Sequence, residues 1–301
     1  MRRIALKVDA DTWRGTRDGV PALARLFERL GIPATFLFSL GPDQTGRALG
    51  RAFRPGFLGK VRRTSVVRHY GIRTLLYGTL LPAPDIGRRE GATMRAVAAA
   101  GFDTGIHVWN HTLWQDNVAT ASAGWTKHQM RLAADRYADI FGRRPTIHGA
   151  AGWQMNEVAF RFESELGIQV ASDTRGSSPF VPVDRDGHES GPTQFPTTLP
   201  TMDELIGIDG CEERNVHEHL LALTETRADL QVFTLHAELE GIPLIGSLQK
   251  LVSGWRVQGW TFVSLSQLPE LFRGVALPRC VPRAGTVSGR SGLLSTQGPA
   301  I

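Results

Sequence analysis

Apolar residues recur along this chain in two rhythms. Short runs at 4–8, 34–38, 102–107, 146–148, 168–172, 232–236 and 262–265 have the length and the bounding residues of strands. Between them stand segments whose apolar positions fall three and four apart. In 20–30 the stripe is Leu23, Leu26, Phe27 and Leu30, and the segments 94–100, 130–141 and 158–166 follow the same helical spacing. Strand alternating with helix is the pattern of a parallel sheet covered by helices. So many units in one chain favour a closed or nearly closed α/β barrel over an open sheet. We expect a single domain over 1–277. From Pro278 the chain is rich in Gly, Ser and Pro, and an irregular tail is expected over 278–301.

In a parallel barrel the chemistry gathers at the carboxyl ends of the strands. Asp9 and Asp11 end the first run, His107 ends the third, Asp173 follows the run at 168–172, and His236 ends a late one. Asp9 and Asp11, two apart in an extended chain, present both carboxylates on the same side. Such close like charges repel unless one keeps its proton or a cation lies between them. A DxD at a solvated strand end is a common feature, so the pair does not decide the matter. His107 and His111 form H-x-x-x-H, a spacing that sets two imidazoles on one face of a helical turn. No Glu follows the first His, so a zincin-type protease is a poor reading. One carboxylate and two imidazoles with an open position make a catalytic metal site, suited to Zn and also to Co, Mn, Fe or Ni. Beside such a site Asp9 is placed to take a proton from water, and His236 to give one to a leaving amine.

Composition narrows the setting. The chain has 301 residues, 42% of them hydrophobic and 21% charged, which fits a folded protein able to bury a large core. Cys211 and Cys280 give no metal-type spacing and no disulfide framework. The start, MRRIALKVDAD, has no apolar run of secretory length, so a cytoplasmic protein is expected. The net charge of +5 is unevenly spread. No acidic residue occurs between Gln44 and Pro84, where Arg47, Arg51, Arg54, Lys60, Arg62, Arg63, Arg68 and Arg73 alternate with large apolar residues. This basic and apolar insertion, 44–86, has the composition of a segment lying on anionic lipid. No nucleic-acid-binding motif accompanies it. Peripheral attachment to a membrane surface from the cytoplasmic side is therefore expected.

Seven stretches also carry a resemblance: DADTWRGTRDGVP (9–21), FSLGPD (38–43), GIHVWNH (105–111), AAGW (150–153), SDTRG (172–176), PTTLPTMDE (196–204) and TLHAELEG (234–241). Together they resemble the NodB-type polysaccharide deacetylase family, and within it the deformylases of a lipid-linked 4-formamido-4-deoxy-arabinose phosphate. The resemblance implies a distorted (β/α) barrel, with Asp9 as base, Asp11, His107 and His111 as ligands of a Zn, Co or Mn type ion, and His236 as acid. It implies that Asp173 orients His236. The substrate it implies is the formamide of a sugar joined through phosphate to undecaprenol, and the product serves lipid A modification and resistance to cationic antimicrobial peptides. An N-acetyl-sugar deacetylase and a catalytically silent lipid-binding protein are the alternatives. The family's third motif carries an Arg that holds the base, whereas Gln154 follows Trp153 here. Arg175 is the candidate substitute, or a contact for the substrate phosphate together with Arg14 and Arg17. Trp153 is a further candidate substrate contact, and His217 and His219 read as surface residues.

Overall fold

The computed structural model describes residues 2–48, 71–227 and 230–301. Its main sheet has seven parallel strands. They are β1 (Arg3–Ala10), β2 (Thr35–Ser39), β3 (Asp103–Val108), β4 (Ile147–His148), β5 (Val170–Ala171) and, after a short β6 (Val181–Pro182) outside the sheet, β7 (Gln231–His236) and β8 (Thr261–Val263). The order is β5-β4-β3-β2-β1-β7, with β8 pairing the first residues of β1. Each strand falls on one of the runs expected from the sequence.

Alternation along the strands divides them between two cores. Ile4, Leu6, Val8 and Ala10 of β1, Phe36 and Phe38 of β2, and Phe233 and Leu235 of β7 pack outward against the helices. Ala5, Leu37, Ile147 and Val232 pack together with Val170, Phe195, Leu265 and Leu268 in a separate inner cluster. Above that apolar floor the inner positions turn polar. Lys7 pairs in register with Thr234, and Asp9 with His236. Packing is close enough that a Cβ on Gly105 would stand 2.5 Å from the Ile147 carbonyl oxygen and 2.7 Å from Leu37.

The sheet curls without pairing β5 directly to β7. Residues 193–199 cross the gap: Phe195 N–H donates to Ala171 O at 2.7 Å, Thr197 N–H to Thr174 O at 2.9 Å, and Thr198 N–H to Val232 O at 3.1 Å. Pro196 cannot donate to a ladder, which is why this staple does not read as a strand. The first α-helix spans Val20–Leu30 as expected, directly after a π-helical turn at Gly15–Gly19, with Gly31 left-handed at its end. Two others begin earlier than their apolar stripes suggested. Ile86–Ala99 starts where the Asp85 side chain accepts from Arg88 N–H, and Ala123–Phe141 starts where Ser122 accepts from Trp125 N–H. In the helix Val216–Glu225, His217 is buried and not a surface residue, because it shares the inward face with Leu220 and Thr224.

The tail is more ordered than its composition suggested. It forms β9 (Arg279–Cys280), β10 (Arg283–Gly285) and β11 (Leu294–Thr296), with β9 pairing β6 and β10 pairing β11. Ser295 then accepts from Met155 N–H and Arg175 N–H. These partners are far away in sequence, so local composition could not announce them. Among the described residues no helix is long and apolar enough to cross a membrane. Of the basic insertion, Arg51, Arg54, Lys60, Arg62, Arg63 and Arg68 lie outside the described residues, while its flanks with Arg47 and Arg73 lie within them.

Candidate active site

Asp11 follows directly on β1, and two imidazoles reach its carboxylate. His107 Nε2 lies 3.1 Å from Oδ1, and His111 Nε2 lies 3.3 Å from Oδ2. The rings do not share a helical face, as their spacing suggested. His107 is in β3, and His111 is the first residue of the helix His111–Asn117. Asn110 makes the turn between them: its side chain accepts from Leu113 N–H and donates to Pro42 O. The rings stand 5.4 Å apart at 26°. His107 Nδ1 is 2.6 Å from Gly149 O, so Nδ1 carries the proton and Nε2 faces Asp11. Burial opposes ionisation of Asp11, but His111 and His107 overcome it and hold the carboxyl far below the usual range. Burial likewise opposes charge on His107, and the carboxylates of Asp9 and Asp11 outweigh it to raise its pKa.

The donor set fits a divalent cation. Ligand atoms of Asp11, His107 and His111 all lie within 4.8 Å of one another. Asp9 Oδ1 and Asp11 Oδ1 are buried and make no hydrogen bond. Buried oxygens of this kind are normally satisfied, and a cation satisfies them where no donor hydrogen does.

Asp9 lies one alternation below Asp11, with Oδ2 3.4 Å from Lys7 Nζ. Lys7 is wholly buried, donates to Ser172 O at 3.0 Å and stands 5.3 Å over the Trp153 ring. The sequence reading missed this lysine. Its signal was available, since Lys7 shares the inward face of β1 with Asp9. On the neighbouring strand His236 sits opposite Asp9, its ring edge-on to Trp153. His236 Nδ1 faces Asp203 Oδ1 at 3.7 Å, and its backbone N–H donates to Glu240 at 2.7 Å. Burial pushes the Glu240 carboxyl up to about 8.

No family profile matches the chain. A protein of Shewanella sediminis named as a 4-deoxy-4-formamido-L-arabinose-phosphoundecaprenol deformylase, ArnD, is 31% identical over 299 residues, covering 99% of this chain and 96% of its own length. The chain belongs to the ArnD deformylase family. A relative of the same name from Wigglesworthia glossinidia brevipalpis is 29% identical over 285 residues, covering 94% of this chain and 98% of its own. A crystal structure described as a polysaccharide deacetylase from Mycobacterium smegmatis aligns with a TM-score of 0.62 at 15% identity, over 95% of this chain and 94% of that one. At that identity the likeness speaks for the fold alone, the NodB-type distorted barrel.

Within this ArnD-family chain several expected contacts are made by other residues. Asp173 does not touch His236. Its Oδ1 accepts from Ala150 N–H at 2.8 Å and lies 2.8 Å from His148 Nδ1, and its Oδ2 accepts from Gln194 at 2.8 Å. The reason is topological, since β5 and β7 are the opposite edges of the sheet. Asp203, which the motif reading passed over, stands beside His236 instead. Arg175 donates to Glu204 at 2.5 Å and to Leu199 O at 3.2 Å, buried over the Trp153 ring. It holds neither Asp9 nor an open phosphate position; Lys7 supplies the cation beside Asp9. Trp153 is a wall of the site, buried at a left-handed φ of 52°, with Nε1 donating to Thr197. Arg17 is exposed, paired with Asp18 at 2.6 Å, and stacks on Trp13. Arg14 lies against Gly71 of the insertion. Trp114 stacks on Trp125, and Arg136 covers Trp109.

Proposed function

We propose that this protein hydrolyses the formamide of 4-deoxy-4-formamido-L-arabinose carried on undecaprenyl phosphate, giving formate and the free amine used in lipid A modification. One observation carries the reading. Asp9, Asp11, His107, His111 and His236, from three different strands and their following turns, converge at one end of the barrel. The names of the full-length relatives supply the substrate class.

Asp11, His107 and His111 are the residues that would hold a divalent ion of Zn, Co or Mn type. When bound, such an ion polarises an acyl carbonyl and acidifies nearby water. Asp9 takes the proton of the attacking water on its carboxylate, and Lys7, 3.4 Å away, holds that carboxylate in place. His236 delivers a proton to the sugar nitrogen as the C–N bond breaks. Water and formamide thus become formate and amine, with the proton passed from one side of the site to the other. Trp153 walls the site and excludes water behind His236.

The basic flanks Arg47 and Arg73 support a resting place on the anionic cytoplasmic face of the inner membrane, where the substrate's lipid is anchored. The decisive experiment measures acyl release from three substrates: formate from the lipid-linked sugar in anionic or neutral vesicles, formate from the free formamido sugar, and acetate from an N-acetylglucosamine oligomer. Fast turnover is expected only for the lipid-linked sugar, and faster on anionic vesicles. Equal rates on the free sugar would remove the lipid from recognition, and efficient deacetylation of the oligomer would replace the proposed substrate.

A further inference from the structure

A group of charged residues behind His236 has no part in the chemistry so far, and the tail builds it. Gly289 is left-handed at φ 79°, and a Cβ there would strike the Glu204 carbonyl oxygen at 2.4 Å. Glycine therefore lets the tail run against the short helix Met202–Leu205. The next residue, Arg290, reaches across the first turn of that helix. Its Nε donates to Glu204 Oε1 at 2.7 Å, and its Nη2 donates to Asp203 Oδ1 at 3.2 Å and to Thr201 Oγ1 at 3.1 Å. The guanidinium also lies 4.9 Å over Trp153, the ring that meets His236 edge-on.

The oxygen that Arg290 holds is the one turned to the histidine. Asp203 Oδ1, which also accepts from Thr201 Oγ1 at 2.6 Å, faces His236 Nδ1 at 3.7 Å. That nitrogen is buried and makes no hydrogen bond. A histidine that donates a proton from Nε2 needs an acceptor at Nδ1 to fix its ring and to stabilise the imidazolium. Asp203 and Glu204 are adjacent carboxylates, and without a cation between them they repel.

We propose that Arg290 is a positioning residue for His236: it clamps Asp203 with Oδ1 toward the imidazole. The inference rests on His236 being the proton donor. The test is a kinetic cycle on the metal-loaded full chain with the lipid-linked formamide. Arg290→Ala is expected to lower kcat by about 10²-fold, the scale of a misplaced catalytic group, with KM and metal content of the folded protein near wild type. Asp203→Asn should do the same. In a His236→Ala background, already slow, Arg290→Ala should cost nothing more, because the group it positions is gone. An equal loss in both backgrounds, or a change confined to KM, would overturn the proposal. Should Arg290→Ala not fold, Arg290→Lys keeps the charge but reaches a single carboxylate. A smaller kcat loss that vanishes with His236→Ala then supports the proposal, and one that persists refutes it. Normal turnover by His236→Ala alone would remove the donor reading itself, a result separate from the Arg290 comparison.

Discussion

Two histidine–carboxylate clusters stand side by side in this barrel, built from the same residue types. At the end of β3, His107 and His111 share Asp11, and Asp9 lies within reach. At the end of β4, His148 Nδ1 lies 2.7 Å from Glu163 and 2.8 Å from Asp173. The first cluster leaves buried oxygens of Asp9 and Asp11 without donors, and the side chain of His111 is 20% exposed. In the second, Asp173 is held by Ala150 N–H, Gln194 and His148, and Glu163 is fully buried, with one oxygen, Oε2, that makes no hydrogen bond either. Burial opposes charge on His148, but the carboxylates of Asp173 and Glu163 raise its pKa to about 10. Burial, with Asp173 adding to it, pushes Glu163 well above the usual range. Residue type alone does not distinguish a reactive cluster from a structural one. What distinguishes them is access: the first opens outward at His111, whereas His148, Glu163 and Asp173 are all buried. The sealed cluster also serves the open one, since Asp173 holds the backbone at Ala150 and the adjoining Gly149 carbonyl orients His107.

This contrast can be broken at either cluster. The largest effect is expected at the open one: His111→Ala should lose both metal and turnover, whereas Asp9→Asn should keep its metal and lose about 10²- to 10⁴-fold in rate. Metal analysis beside single-turnover rates checks this, and a full metal equivalent in His111→Ala would remove it from the ligand set. At the sealed cluster, His148→Ala leaves buried carboxyls without their partner. It should cost about 3–5 kcal/mol of stability while the folded protein still binds metal. Urea unfolding gives the number, and unchanged stability with lost metal would reverse the roles assigned to the two clusters. The smallest effect, taken per pH unit, is on the pH dependence of stability. His148 binds its proton more tightly folded than unfolded, so its contribution to stability is full below its ordinary value of 6.5 and fades as pH rises through about 10. Each proton released in that window lowers stability by at most about 1.4 kcal/mol per pH unit. Thermal melts from pH 7 to 10 should decline more steeply in the wild type than in His148→Gln, and parallel slopes would place the titrating group elsewhere.

Much of this architecture was legible along the chain. The strand runs, the inward alternation of Asp9 with the outward Val8, and the strand-end positions of His107 and His236 follow from periodicities that any short segment carries. The nearness of Asp11, His107 and His111 was legible for the same reason, because each stands at or beside the carboxyl end of a strand. The partners were not. Asp173 looked like the companion of His236, yet sheet order puts β5 and β7 at opposite edges and leaves Asp203 in that place. Arg175 looked like the missing cation of the base, and Lys7 occupies that position from within β1. Residues 193–199 fasten the barrel without strand periodicity, and a glycine-rich tail brings Arg290 back to Asp203. A local pattern tells which way a side chain points. Which side chains it meets depends on strand order, register and returning loops, and these follow from packing between segments far apart in the chain.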